Sequence, residues 1–314
     1  MSRFRRIADI VGRVLIGAGV VLLLFTAYQV WGTSIEEGHA QAALRTQLRQ
    51  QSVGTGADQA LATASARDAL PTGPPDTAPS TPEPAEGSPV GEVRIPAIGL
   101  DQIVVEGSGE ADLRKGPGHY VGTPLPGQNG NVAIAGHRTT YGHPFYSLDA
   151  LKIGDPIVLT TLQGVFVYDV AKAPFVVSPT DTTVVKSAFF NMITLTTCNP
   201  RFSASTRLIV QGVLVHSRLF SAASGLPPSG SVPVSAARPS PSVLNGSLAG
   251  DSSIEVANTV GWGAALLVVG IVVFVAVQRL RINRWLAYGG GVVVALVLLW
   301  FFFGAISPLL PASF

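Results

Sequence analysis

A single cysteine, Cys198, stands in a chain of 314 residues that holds only two methionines. One thiol cannot form a disulfide within the chain, so disulfide staples cannot support the fold. Charge is also scarce, with 13% charged residues against 47% hydrophobic and a net charge of +2. The basic residues form no stripe interleaved with aromatics, which argues against nucleic acid as a partner. No acidic cluster, HExxH or Cys-x-x-Cys pattern occurs. Neither a metal site nor a cofactor is therefore expected.

The apolar residues that are present are concentrated. Three segments, Ile10–Trp31, Val260–Val277 and Trp285–Ile306, approach or exceed the about 20 residues that a helix needs to cross a bilayer. The first is longer than a signal-peptide core and reads as an uncleaved anchor, although Ala40–Ala42 offers a small-x-small cleavage site. Arg3, Arg5, Arg6 and Arg13 precede or open it, and Arg279, Arg281 and Arg284 crowd the turn between the other two. Positive flanks stay in the cytoplasm. The expectation is a multi-pass protein of the cell membrane with its N-terminus and basic turn inside.

The expected organisation follows from these segments. A cytoplasmic stretch 1–9 leads to the anchor 10–31 and a Pro/Ala/Thr-rich linker 32–89, in which Ile35–Leu70 has the composition of a fraying helix. A compact extracytoplasmic domain fills 90–217, followed by a Ser/Pro/Gly-rich linker 218–256. Spans at 257–278 and 285–306 flank the basic turn 279–284 and leave a tail 307–314 outside.

The compact domain reads as all-β. "GEVRIPAIGLDQIVVEG", "GNVAIAG", "PIVLTTLQGVFVYDVAKAPFVV", "MITLTTC" and "RLIVQGVLV" are short β-branched runs separated by Gly, Pro, Asn and Asp. Seven or eight such runs at short spacing predict a sandwich or closed barrel. "VLTTLQGVFVYDV" predicts a hairpin turning near Gln163–Gly164, with short helical turns near Gly109–Lys115 and Pro144–Leu151.

Cys198 is either a buried inert thiol or a nucleophile, and a nucleophile needs a base or a positive neighbour to expose its thiolate. His119, His137 and His143 lie in the domain. His137 ends an apolar strand at a glycine, where a side chain is held by the scaffold yet accessible. Spacing alone does not separate His137 from His143. If "MITLTTC" and "RLIVQGVLV" are neighbours, Arg207 lies across the loop from Cys198, where a guanidinium could donate to an oxyanion. Arg201 in "CNPRF" is its local competitor.

"TLTTCNPRFSASTR" resembles the sortase signature T-L-x-T-C followed by an arginine, and "NVAIAGHRTTYGHPF" resembles the sortase histidine segment. "HRTTYG" in particular is similar to the class E housekeeping sortases of actinobacteria, and the resemblance runs over about residues 90–217. It implies a sortase-type β-barrel with Cys198 as nucleophile, His137 as acid/base and Arg207 as the positioning and oxyanion residue. It also implies that Thr197 borders the acyl site and that Tyr120 lies near the second residue of the sorting motif. His119 and His143 receive no catalytic role.

The implied reaction is transpeptidation. An LAxTG-type motif is cleaved between Thr and Gly through a thioacyl intermediate. A peptidoglycan precursor amine then accepts a secreted protein bearing a C-terminal sorting signal. The C-terminal spans keep a pilin-polymerising sortase in view as a rival, although no Asp-Pro-aromatic lid precedes the domain. A non-enzymatic membrane-tethered β-barrel binding module is the rival from another class.

Overall fold

The structure is a computed structural model that describes residues 3–53, 57, 71–72, 74–220, 259–266, 268, 271 and 284–306. Most of the second linker, half of the second apolar segment, the basic turn before Arg284 and the tail 307–314 lie outside the described residues. The chain divides into two units, Met1–Gly32 with Ala249–Pro311 and Thr33–Leu248 with Ala312–Phe314.

The first unit is helical. Helix α1 runs Arg3–Ala27 and passes into a π-helical turn at Tyr28–Gly32. The last helix, Arg284–Ile306, meets it through aromatic rings, Phe25 against Phe303 at 5.2 Å and Tyr28 against Trp300 at 5.0 Å. Trp262 stacks on Phe301 at 4.9 Å, and Thr259 Oγ1 donates to the Ala305 carbonyl at 2.9 Å. Counted over the described residues alone, no helix is long and apolar enough to cross a membrane.

The second unit is built on nine strands: β1 Pro89–Ile95, β2 Leu100–Glu106, β3 Gly118–His119, β4 Asn131–Ala135, β5 Pro156–Thr161, β6 Gly164–Val170, β7 Phe175–Val177, β8 Met192–Asn199 and β9 Thr206–Leu219. They follow the order β6-β5-β1-β2-β3-β4-β8-β9, and β6 also pairs with β9. Eight strands thus close a ring, and β7 lies outside it on the first part of β9. Closure removes the free edges that an open sheet would present. Val93, Ile95, Ile134, Phe145, Ile157, Leu159, Phe166, Tyr168, Ile193, Leu195 and Val210 fill the interior.

The hairpin turns at residues 162–163 between β5 and β6, with Thr160 opposite Val165. The two short helical turns stand at Glu110–Leu113 and Leu148–Ala150. β1 departs from simple alternation because six of its seven residues are buried. An antiparallel strand alternates when one of its faces is solvated, and here other parts of the chain cover the outer face.

The stretch 32–89 supplies that cover. Helix α2, Thr33–Ser52, lays Leu44 and Leu48 against Ile103 and Val105. The Gln41 amide donates to the Ile103 carbonyl at 2.9 Å and accepts from its N–H at 2.7 Å, as a neighbouring strand would. Arg45 reaches Glu92 at 2.7 Å and Asp101 at 3.1 Å. Further on, Asp76 N–H donates to Ser217 Oγ at 2.6 Å, and Ala78 N–H to the Gly127 carbonyl at 2.8 Å. Parts of the expected linker are therefore fixed to the barrel by polar bonds and by apolar contacts.

Candidate active site

β4 and β8 are parallel neighbours with Ala135 opposite Thr196, so both chains leave the sheet at the same end. Bonds beyond the strands continue the pairing. Gly136 N–H donates to the Thr196 carbonyl at 3.1 Å, and Thr197 Oγ1 donates to the Gly136 carbonyl at 2.7 Å. Arg138 Nη1 donates to the Cys198 carbonyl at 3.3 Å and to Asn199 Oδ1 at 2.6 Å. His137, between Gly136 and Arg138, is thereby set at the level of Cys198. Gly136 is needed for the approach, because a Cβ there would lie 2.6 Å from the Phe145 ring.

From the other side, antiparallel β9 puts Arg207 opposite Cys198, as the sequence predicts. The Arg207 guanidinium is half-buried, and its Nη1 donates to the carbonyls of Ala204 at 3.0 Å and Thr206 at 3.2 Å. Its charge reaches the thiol, where with Arg138 it opposes the effect of burial. Tyr120, just after β3, is buried with its hydroxyl 2.9 Å from Thr196 Oγ1. Burial raises its pKa, and both Arg207 and Cys198 act on it electrostatically. Tyr120, Cys198 and Arg207 therefore share one region. Thr197 is 3% exposed with its hydroxyl committed to Gly136, so its visible work is to join the histidine strand to the cysteine strand.

Burial sets the protonation states. Burial pushes the Cys198 thiol up, against the pull of Arg207 and Arg138. Burial, with the Arg114 charge second, lowers the His137 pKa to about 4. Near neutral pH Cys198 is therefore a thiol and His137 a neutral imidazole. The His137 Nε2 atom is buried without a hydrogen-bond partner. An unsatisfied polar atom of this kind is uncommon in native interiors.

The competing residues are placed elsewhere. His143 is exposed, with Nδ1 against the Gly142 carbonyl. Arg201 is exposed, pairs with Asp149 at 3.0 Å and lies 4.3 Å from the Tyr146 ring centroid. His119 is fully buried, with Nδ1 2.9 Å from Glu106 Oε2 and Nε2 3.1 Å from the Pro124 carbonyl. Among the described residues, no group of three His, Cys, Asp or Glu could hold a metal ion.

Sequence reasoning missed two contributors. Arg138 is 4% exposed and ion-pairs with Asp149 at 3.0 Å while holding the Cys198 strand. Its signal was its place directly after His137. Tyr141 carries its ring 5.1 Å from that of His137, and a conformation that no spacing rule announces made it invisible.

Residues 93–215 match the sortase domain family. Sortase SrtE1 of Streptomyces coelicolor is 34% identical over 223 residues, which cover 66% of this chain and 57% of that protein. Sortase D of Bacillus subtilis is 30% identical over 207 residues, covering 63% of this chain and 94% of that one. The chain thus spans little more than half of SrtE1 but nearly all of sortase D. The solved structure of sortase E from Streptomyces avermitilis is 37% identical with a TM-score of 0.40, covering 46% of this chain and 97% of that chain. With its central segment matching the family and its likeness to sortase D extending over nearly that whole protein, the chain belongs to the sortase family.

Proposed function

We propose that the protein is a membrane-anchored cysteine transpeptidase of the class E type. Cys198 is the nucleophile, His137 the acid/base and Arg207 the donor to the oxyanion. The observation that carries this reading is the convergence of β4, β8 and β9, which sets His137 at the level of Cys198 and Arg207 across from it.

The Cys198 sulfur attacks the threonine carbonyl of a sorting motif as the His137 imidazole accepts the thiol proton. The Arg207 guanidinium offers donors to the oxygen that becomes negative. His137 then returns the proton to the departing glycine amine. The C–N bond breaks and a thioester remains. An incoming amine attacks that thioester, passes its proton to His137 and releases the thiol. For the class E resemblance the motif is LAxTG, the substrates are secreted proteins with a C-terminal sorting signal, and the acceptor is a peptidoglycan precursor amine. Tyr120 borders the path of the motif, while the buried Thr197 holds the histidine strand to the cysteine strand behind it.

A labelled-peptide assay on the full-length protein tests this reading. Cleavage of LAxTG between Thr and Gly, faster than that of LPxTG and lost in Cys198→Ala, is expected. Comparable turnover by Cys198→Ala would end the assignment.

The same reading places the protein in the cell membrane with its barrel outside. Its support is the run of apolar segments with arginine flanks. Leu15, Ile16, Leu22 and Leu23 expose their side chains along the first helix. Cytoplasmic reporter activity from a fusion after Ser217 would contradict this topology.

A further inference from the structure

We propose that α2 forms part of the catalytic centre, with Thr33 and Tyr141 acting as positioning residues for His137. This inference rests on the reading of His137 as the acid/base.

The loop after His137 is unusual in its backbone. Tyr141, Gly142 and His143 follow one another with φ of 48°, 69° and 41°. Non-glycine residues avoid this left-handed region because of the close approach of Cβ to the following carbonyl oxygen. Such conformations persist where the surroundings over-determine them, and they gather at functional sites. Here the surroundings are the first turns of α2. Tyr141 N–H donates to Thr33 Oγ1 at 3.2 Å, and both residues are buried. A Cβ on Gly142 would lie 2.5 Å from Glu37 Oε2, so the loop lies tight against the helix.

That clamp fixes the Tyr141 ring, which packs on His137 at 5.1 Å between centroids, tilted by 36°. The Arg114 guanidinium lies 5.7 Å from the centroid of the same ring. Tyr141 therefore orients the imidazole, keeps water from it and carries a cation on its own ring. The charged and titratable groups around this corner are Arg114 with its partner Glu110, Glu36 and Glu37 of α2, and Arg138 and Cys198 by the β8 end. The Glu37 Oε1 atom is itself buried without a hydrogen-bond partner. Nothing in the sequence of α2 suggests chemistry, yet its N-terminal turns hold the loop that orients the acid/base.

The test uses the full-length protein in detergent, with kcat, KM and the pH dependence of thioester formation as readouts. Tyr141→Phe keeps the ring and the backbone bond to Thr33 and is expected to lose less activity than Tyr141→Ala. Tyr141→Ala is expected to lower kcat about ten- to a hundredfold, the scale of a misplaced catalytic group, with KM little changed. Water then reaches the imidazole, so the acid limb set by His137 moves to higher pH. Thr33→Val removes the acceptor without deleting the ring and should move both quantities the same way by a smaller amount. It carries the test if Tyr141→Ala does not fold. Unchanged kcat and acid limb in Tyr141→Ala, or in Thr33→Val alone, beside an inactive His137→Ala would overturn the inference and leave the proposed function intact. An active His137→Ala would overturn the proposed function itself. A folded, inactive Tyr141→Phe would also overturn the inference, since the hydroxyl rather than the packed ring would then be at work.

Discussion

Two histidines of the barrel, His119 and His137, are held by different surroundings. Both ring nitrogens of His119 face oxygen acceptors, a Glu106 carboxylate and the Pro124 carbonyl, and its side chain has no exposure. His137 as a residue is only half-buried, yet its Nε2 is buried without a partner. Burial of a polar group is costly unless hydrogen bonds compensate it. The first histidine is compensated and so stabilises the junction of β2 and β3. The second is left in deficit, and it is the one proposed to act as the acid/base.

Mutation should separate these two environments. His137→Ala is expected to lower thioester formation about 10²–10⁴-fold, the usual contribution of a positioned acid/base, while the folded barrel survives. Stopped-flow kinetics with a fluorogenic peptide measures it. The pH dependence belongs to the same comparison. His137 is neutral above about pH 4, and burial raises the Cys198 thiol. Activity should therefore rise through an acid limb governed by His137 and fall through an alkaline limb governed by Cys198. Between them it should hold a wide plateau.

Arg207 comes next in size. Arg207→Lys and Arg207→Ala should each reduce kcat by about 10²–10³-fold, as loss of an oxyanion donor does. Small thiol reagents should still label Cys198 in both. Arg201→Ala should change turnover little, because that guanidinium is engaged with Asp149 and Tyr146.

The contrast then inverts for His119. His119→Ala leaves Glu106 buried without its hydrogen-bond partner, and an unsatisfied buried polar group costs about 1–3 kcal/mol. Chemical denaturation should show that loss, while the molecules that remain folded keep near-normal turnover. A folded and stable but inactive His119→Ala would erase the distinction between the two histidines.

The smallest effect concerns Glu37, whose pKa burial raises from 4.5 to about 7. Between these values the folded chain holds a proton that the unfolded chain has released, so stability falls as pH rises through that window. Glu37→Gln removes this contribution. Its melting temperature should match wild type near pH 4.5 and exceed it by a few degrees at pH 8. Some pH dependence should remain, because Glu92 is also raised to about 7, by burial first and Asp101 second.

What could be read from the sequence was whatever local pattern controls. The β-branched runs and the turn at 162–163 follow period and turn chemistry, and the facing of Cys198 and Arg207 follows from two adjacent antiparallel strands. The docking of α2 could not be read this way. Its polar, alanine- and glutamine-rich sequence offers few apolar anchors, and it is held by Gln41 and Arg45 on partners far along the chain. The Glu106–His119 pair was hidden for a similar reason. Thirteen residues separate its members, and only the parallel β2–β3 pairing sets them side by side. Tyr141 depended on a backbone state that residue type argues against.

The parallel pairing of β4 with β8 also bears on the birth of the protein. No hairpin can join parallel strands, so residues 136–191, with β5, β6 and β7 among them, intervene before the pair can form. Contacts of such long sequence separation carry a large loop-closure cost and are slow to appear in folding. Until they form, Cys198 is an ordinary accessible thiol, open to oxidation in the extracytoplasmic compartment proposed for this domain. Closing the barrel half-buries Cys198 and raises its pKa, which lowers the thiolate population available to oxidants. The fold that assembles the proposed active site thus also ends the period in which its thiol is most vulnerable.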